Sequence, residues 1–208
     1  MKTVLIVSNE EYADKPEIIT GSADYGLPAP LFNIENLVRA VKHVSNHKIT
    51  IIHHTYIEKA SEINPDYLIL SGRFSPKALT LDEIKEEYRK EISFIKQSDK
   101  RILGICLGMQ LISISFDDTI TIEKLPEGEF GFTDITILKT GKTIKCMELH
   151  RCVVDHIPSC FNLIACSDKA KCQFIAHINK PIYGTQFHPE ITNGRHKAGL
   201  EILKRFLV

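Results

Sequence analysis

The chain has 208 residues, 43% of them apolar and 25% charged, which is the balance of a globular protein and not of a disordered one. Lys plus Arg equals Asp plus Glu at 26 each, so no overall field gathers nucleic acid or an anionic membrane surface, and neither is expected as a partner. No apolar run reaches the length of a membrane span, and the short run Val4–Val7 is followed by no small-residue cleavage site, so a cytoplasmic location is expected.

In chain order, the first half alternates short β-like runs with helical patterns. Thr3–Ser8 reads as a strand, Ile34–Val44 as an amphipathic helix and Lys48–His54 as a second strand. Tyr67–Ser71 is a third strand, and Leu81–Lys96 is a charged helix with Ile84, Tyr88, Ile92 and Ile95 on one face. Arg101–Ile105 is a fourth strand that leads straight into an apolar helix, Leu107 to about Phe116. This rhythm predicts an α/β fold: an open, mostly parallel, flavodoxin-like sheet with helices on both faces.

From Thr119 to Gln186 the apolar spacing becomes mostly two, as in Asp134–Leu138, Cys152–Val154 and Gln173–Ala176. Pro126-Glu127-Gly128, Thr140-Gly141-Lys142, Pro158-Ser159 and Asn179-Lys180-Pro181 punctuate these runs as turns. Hairpins and additional antiparallel strands are therefore expected to extend the parallel core. A strand from Ile182 to Phe187 and a last helix from Gly194 to Leu207 close the chain. No repeat or linker is visible, so residues 1–208 are expected to form one domain. The Pro- and Gly-rich stretch from Glu10 to Leu31 lies between the first strand and the first helix, where loops border a site at the strand ends or make a surface excursion without a role.

Cysteines stand at positions 106, 146, 152, 160, 166 and 172, with no Cys-x-x-Cys pair. In a reducing compartment they are thiols, and the last five read as core packing. A zinc site built from Cys146, Cys152 and His150 is the weaker alternative.

Gly104-Ile105-Cys106-Leu107-Gly108 has the form of a strand–turn–helix elbow, in which a nucleophile projects from a tight turn that only small neighbours permit. The helix N-terminus favours a thiolate at Cys106, and the N–H of Leu107 is placed to donate to a developing oxyanion. The competing reading is a buried structural cysteine between two packing glycines. Gln186-Phe187-His188-Pro189-Glu190, at the end of a strand, offers the imidazole and the orienting carboxylate that a thiol nucleophile needs.

Taken together, Gly104-Ile-Cys-Leu-Gly-Met-Gln-Leu-Ile112 and Pro181-Ile-Tyr-Gly-Thr-Gln-Phe-His-Pro-Glu190 resemble the class I, triad-type glutamine amidotransferases, most closely the glutaminase part of GMP synthetase, anthranilate synthase and carbamoyl phosphate synthetase. The resemblance runs from about Asp66 to the C-terminus, with Thr3–Ser8 as the family's first strand. It implies that Cys106 attacks a glutamine side-chain amide, that His188 serves as base and then acid, and that Glu190 holds the imidazole. It further implies that Gln110 helps to hold the glutamine, that Gly72 and Arg73 lie in the oxyanion loop, and that His150 belongs to a substrate-contacting segment. No cofactor and no metal are expected, and ammonia would pass to a partner synthetase because nothing here resembles a nucleotide-binding P-loop.

Two places depart from the family pattern. Gly72-Arg73-Phe74 replaces Gly-Gly-Pro, which would strain a non-glycine residue if φ were positive, or would let Arg73 reach an anionic group of the substrate. Leu149-His150-Arg151-Cys152 replaces Ser-His-x-Asp and loses a carboxylate that could receive the ammonium of glutamine. Two other readings follow: a stand-alone hydrolase of a γ-glutamyl amide, and a non-catalytic regulatory relative.

Overall fold

The computed structural model describes residues 1–11, 32–74 and 78–208. Most of the Glu10–Leu31 stretch, together with Ser75 and Pro76, lies outside the described residues.

One nine-stranded sheet runs through the described residues in the order β2-β1-β3-β4-β9-β8-β7-β5-β6. β1 (Thr3–Ser8), β2 (Lys48–His53), β3 (Tyr67–Leu70), β4 (Arg101–Ile105) and β9 (Ile182–Thr185) pair in parallel. β5 (Ile122–Ile137), β6 (Lys142–Val154), β7 (Phe161–Cys166) and β8 (Phe174–His177) are antiparallel to their neighbours. The expected mostly parallel core with an antiparallel extension is the architecture observed.

Strand alternation sends side chains to two apolar layers. Leu5, Val7, Leu68, Leu70 and Ile102 face one layer, where α3 (Leu81–Glu87), α4 (Arg89–Gln97) and α5 (Leu107–Phe116) pack through Ile84, Ile95 and Leu111. Val4, Ile6, Ile69, Leu103 and Ile105 face the other, covered by α1 (Phe32–Val44) and α6 (Ala198–Phe206) through Leu37, Val41, Leu203 and Phe206. A further short helix, α2 (Lys59–Ile63), precedes β3 and has no counterpart in the sequence pattern. With apolar strands covered on both faces, the loops at the carboxyl edge of β1, β3, β4 and β9 are left to carry polar groups.

Several boundaries differ from those expected, each for a local reason. The helix read as Leu81–Lys96 bends at Tyr88 (φ −102°, ψ 18°), whose buried hydroxyl donates to Asn9 O at 3.0 Å. A capping box between Thr80 and Glu83 starts it. The last helix begins at Ala198 and not Gly194, because Asn193 Oδ1 accepts from the backbone N–H groups of Arg195 and His196 and closes a turn there. Pro126-Glu127-Gly128 is not a turn between strands but a bulge inside β5, where the register with β6 shifts between Lys124 and Glu129 and Gly128 takes φ +66°. Thr140-Gly141-Lys142 does form the β5–β6 hairpin turn, with Gly141 at φ +65°.

All six cysteines are free. Cys146 and Cys172 sit in apolar clusters and Cys160 packs against one, whereas Cys152 lines the cavity described below. No helix among the described residues is long and apolar enough to cross a membrane.

Candidate active site

β4 ends at Ile105, and Cys106 makes the turn into α5 with φ 51° and ψ −106°. This conformation costs a non-glycine residue on the order of 1–3 kcal/mol, so the surroundings must hold it. The Cys106 N–H donates to Thr185 O at 2.7 Å, and Cys106 O accepts from Gln110 N at 3.2 Å. Gly108 permits the start of α5 to lie against β3, since a Cβ there would come within 2.4 Å of Leu70 O. Cys106 is 7% exposed.

His188 follows β9, the strand beside β4, and its N–H donates to Met147 O at 2.8 Å, which ties it to β6. Its Nδ1 lies 2.7 Å from Glu190 Oε1, and both side chains are buried. Burial would push the imidazole pKa down, but the charge of Glu190 and the hydrogen bonds to Cys106 and Glu190 outweigh it and hold His188 well above the ordinary range. Cys106, His188 and Glu190, about eighty residues apart in sequence, therefore meet at one strand edge.

Gly72, after β3, flanks both groups. A Cβ on it would lie 3.0 Å from His188 Cε1 and 3.3 Å from Cys106 Cβ, so the loop backbone passes beside the thiol as an oxyanion loop requires. The loop is fastened from behind. Asn9 donates from its backbone N–H to Ser71 Oγ and from Nδ2 to Ser71 O, and Phe74 N–H donates to Glu10 Oε2 at 2.9 Å.

Arg73 corrects two expectations. Among the described residues only Asn64 and Cys106 combine a side chain with positive φ, so Arg73 carries no left-handed strain. Its guanidinium also does not reach for a substrate. It pairs with Glu87 at 2.9 Å and Glu11 at 2.7 Å, donates to the Tyr88 hydroxyl at 3.1 Å, and is 6% exposed. Two carboxylates already neutralise it, and they clamp the loop.

A cavity of about 720 Å³ opens beside the thiol, lined by Cys106, Leu107, Gln110, His150, Arg151 and Cys152 among others. Gln110 Nε2 donates to Cys152 O at 2.9 Å and Gln186 Oε1 at 3.2 Å, and Gln186 Nε2 lies 3.5 Å from Cys106 Sγ. Gln186 was legible in its motif, but its contact with the sulfur was not, because it follows the end of β9, where strand alternation no longer says which polar side chain turns inward. His150 lies between Glu148 Oε2 at 2.8 Å and Glu129 Oε2 at 3.2 Å. The zinc alternative fails among the described residues: the cluster with metal-ligand spacing is Glu129, Glu148 and His150, and Cys146 packs instead with Ile135, Ala165 and Phe187.

The family profile described as Glutamine amidotransferase class-I matches residues 32–208. The chain belongs to this family. It is 34% identical over 178 residues to a glutamine-hydrolysing GMP synthase of Clostridium tetani, covering 82% of this chain and 33% of that protein. In Thermoplasma acidophilum a separate subunit of the glutamine-hydrolysing GMP synthase is 31% identical over 149 residues, covering 68% of this chain and 70% of the relative. For the corresponding subunit of Pyrococcus furiosus the figures are 30% over 165 residues, 67% and 86%. The chain thus spans about a third of the one-chain Clostridium synthase but most of the separate subunits. A crystal structure described as a GMP synthase subunit protein of Thermoplasma acidophilum superposes with TM-score 0.74 over 100% of this chain and 92% of that one, at 24% identity, and shares the fold.

Proposed function

We propose that this amidotransferase is a glutaminase domain that hydrolyses the glutamine side-chain amide through a Cys106 thioester and delivers ammonia to a partner synthetase. The observation that carries it is the convergence of Cys106, His188, Glu190 and Gly72 at one strand edge beside an open cavity.

The thiolate of Cys106 adds to the amide carbon, and the oxygen takes up the electron pair of the broken carbonyl π bond. The N–H of Leu107 and the loop backbone at Gly72 and Arg73 receive that charge. His188, held as an imidazolium by Glu190, gives its proton to the amide nitrogen; the C–N bond breaks, ammonia leaves, and a γ-glutamyl thioester remains. Water then attacks the thioester with His188 taking its proton, the C–S bond breaks, glutamate leaves, and the thiolate of Cys106 and the imidazolium of His188 are regenerated. Gln186 and Gln110 steady the sulfur and the cavity wall. One sheet carries both halves of the site, which supports a single catalytic domain over residues 1–208. The chemistry needs no cofactor, and a cytoplasmic location is supported only by the free thiols.

The synthetase partner rests on the names of the relatives that are separate GMP synthase subunits. Ammonia release from glutamine is the test: it should be slow in the isolated chain, rise when the synthetase is added, and vanish in Cys106→Ala. The second reading, a stand-alone γ-glutamyl amide hydrolase, is favoured by Cys152 standing in the cavity wall where the family places a carboxylate. Rapid turnover of γ-glutamyl amides without stimulation by any synthetase would select it.

A further inference from the structure

The β5–β6 hairpin carries a second acid–imidazole unit that the triad does not use. His150 is 4% exposed, and its ring lies within 3.2 Å of carboxylate oxygens of both Glu129 and Glu148. Both contacts are within ion-pair distance, and neither ring nitrogen has an aligned hydrogen-bond partner among the described residues. Glu148 is fully buried, and neither of its oxygens accepts a hydrogen bond. A carboxylate there without a countercharge would be strongly disfavoured. Glu129 is fastened independently by Ser167 Oγ at 2.8 Å and Gln173 Nε2 at 3.2 Å.

The unit is oriented. His150 lines the cavity that holds Cys106, whereas Glu129 and Glu148 do not, so the imidazole stands between the two carboxylates and the cavity. The groups that act on the ring are Glu129 on β5, Glu148 on β6 and Cys106 at the elbow, while His188 acts on Glu148 from beyond. Of the other cations on the cavity wall, Lys124 and Arg151 add to the same sign, and Arg73 is neutralised by Glu11 and Glu87.

We propose that Glu148 is a positioning residue for the thiol chemistry: together with Glu129 it holds His150 as a fixed cation beside Cys106, which draws the carboxylate end of the substrate into the cavity. This rests on Cys106 being the nucleophile. Burial alone would push the imidazole down, but the two carboxylates outweigh it and raise His150 to about 9, so the cation persists through neutral pH and is lost as pH rises past that value.

The test alkylates the intact chain with iodoacetate, an anion, and iodoacetamide, its neutral analogue, and follows Cys106 by peptide mass spectrometry across pH. Ionisation of the thiol affects both reagents alike and cancels in their rate ratio, and His150→Gln, which leaves the His188–Glu190 pair in place, separates the step of His150 from that of His188, on which Glu148 also acts. In the wild type the preference for iodoacetate should step down near pH 9. In Glu148→Gln the step should move to lower pH by about one to three units, the usual effect of losing an opposite charge at this distance. Glu148→Asp should restore part of the shift, and His150→Gln should abolish the step. Should Glu148→Gln fail to fold, Glu129→Gln reads the same step and should also lower it. An unmoved step in Glu148→Gln, even with a lowered melting temperature, overturns the inference alone. A wild-type Cys106 that takes neither reagent overturns the nucleophile reading and this inference with it.

Discussion

The two halves of the sheet contribute different things to the site. The parallel half supplies backbone: the elbow at Cys106, the N–H of Leu107 and the Gly72 loop all lie where parallel strands end together. The antiparallel half supplies charge, through Glu129, Glu148 and His150 on the long β5–β6 ribbon. β9 joins them, parallel to β4 on one side and antiparallel to β8 on the other, and the residues that follow it are His188 and Glu190. Conformation is the scarce resource in the first half and electrostatic balance in the second, so substitutions in the two should fail in different ways.

The largest effects belong at the seam. Cys106→Ala and His188→Ala should each lower the rate of amide hydrolysis by about 10⁴-fold or more, with melting temperature little changed. Equal losses, no greater in the double variant, would mark one catalytic unit; additive losses would break that description. In the parallel half, Gly72→Val should cost about 10²–10³ in kcat, because a side chain there meets His188 and Cys106 and displaces the loop. Steady-state kinetics with unchanged KM would separate that from a blocked cavity.

A buried carboxyl sharpens the contrast further. Glu91 on α4 is fully buried beneath Asn9, the residue that holds Ser71, and burial pushes its pKa up to about 8 despite the hydrogen bond from Asn9. Its folded-state pKa lies above the ordinary 4.5, so its contribution to stability is fully present below about pH 4.5 and is lost as pH rises towards 8. Glu91→Gln should therefore flatten the pH dependence of unfolding in that window and stabilise the protein at pH 8 by on the order of a few kcal/mol. Denaturant titration at pH 5 and pH 8 measures it. Glu148, with a histidine beside it, should show no such gain. The smallest effect is expected from Arg73→Ala: its guanidinium stands in the cavity wall but is already paired with Glu11 and Glu87 and clamps the loop, so kcat should fall by about tenfold with KM for the substrate nearly unchanged.

Much of this was legible in the sequence, and the limits are physical. The parallel strands, the elbow and the pairing of His188 with Glu190 follow from short-range pattern, because a tight turn and a two-residue spacing leave few alternatives. The Arg73 clamp was not, since Glu11, Glu87 and Tyr88 come from segments whose proximity no periodicity encodes. Nor was the charge of His150. Cys146, Glu148, His150 and Cys152 alternate on one face of a strand, and only the partner strand decides that Glu129, and not a thiol, stands opposite His150. The bulge at Gly128 resembles a turn in sequence because both need a positive φ.

The most direct measurement is covalent capture of the sulfur by a glutamine-like diazo-ketone, read by peptide mass spectrometry. The predicted result is labelling confined to Cys106, suppressed by excess glutamine and absent in His188→Ala. Labelling that persists unchanged in His188→Ala, or that falls on the other five cysteines while Cys106 stays unmodified, would contradict the account.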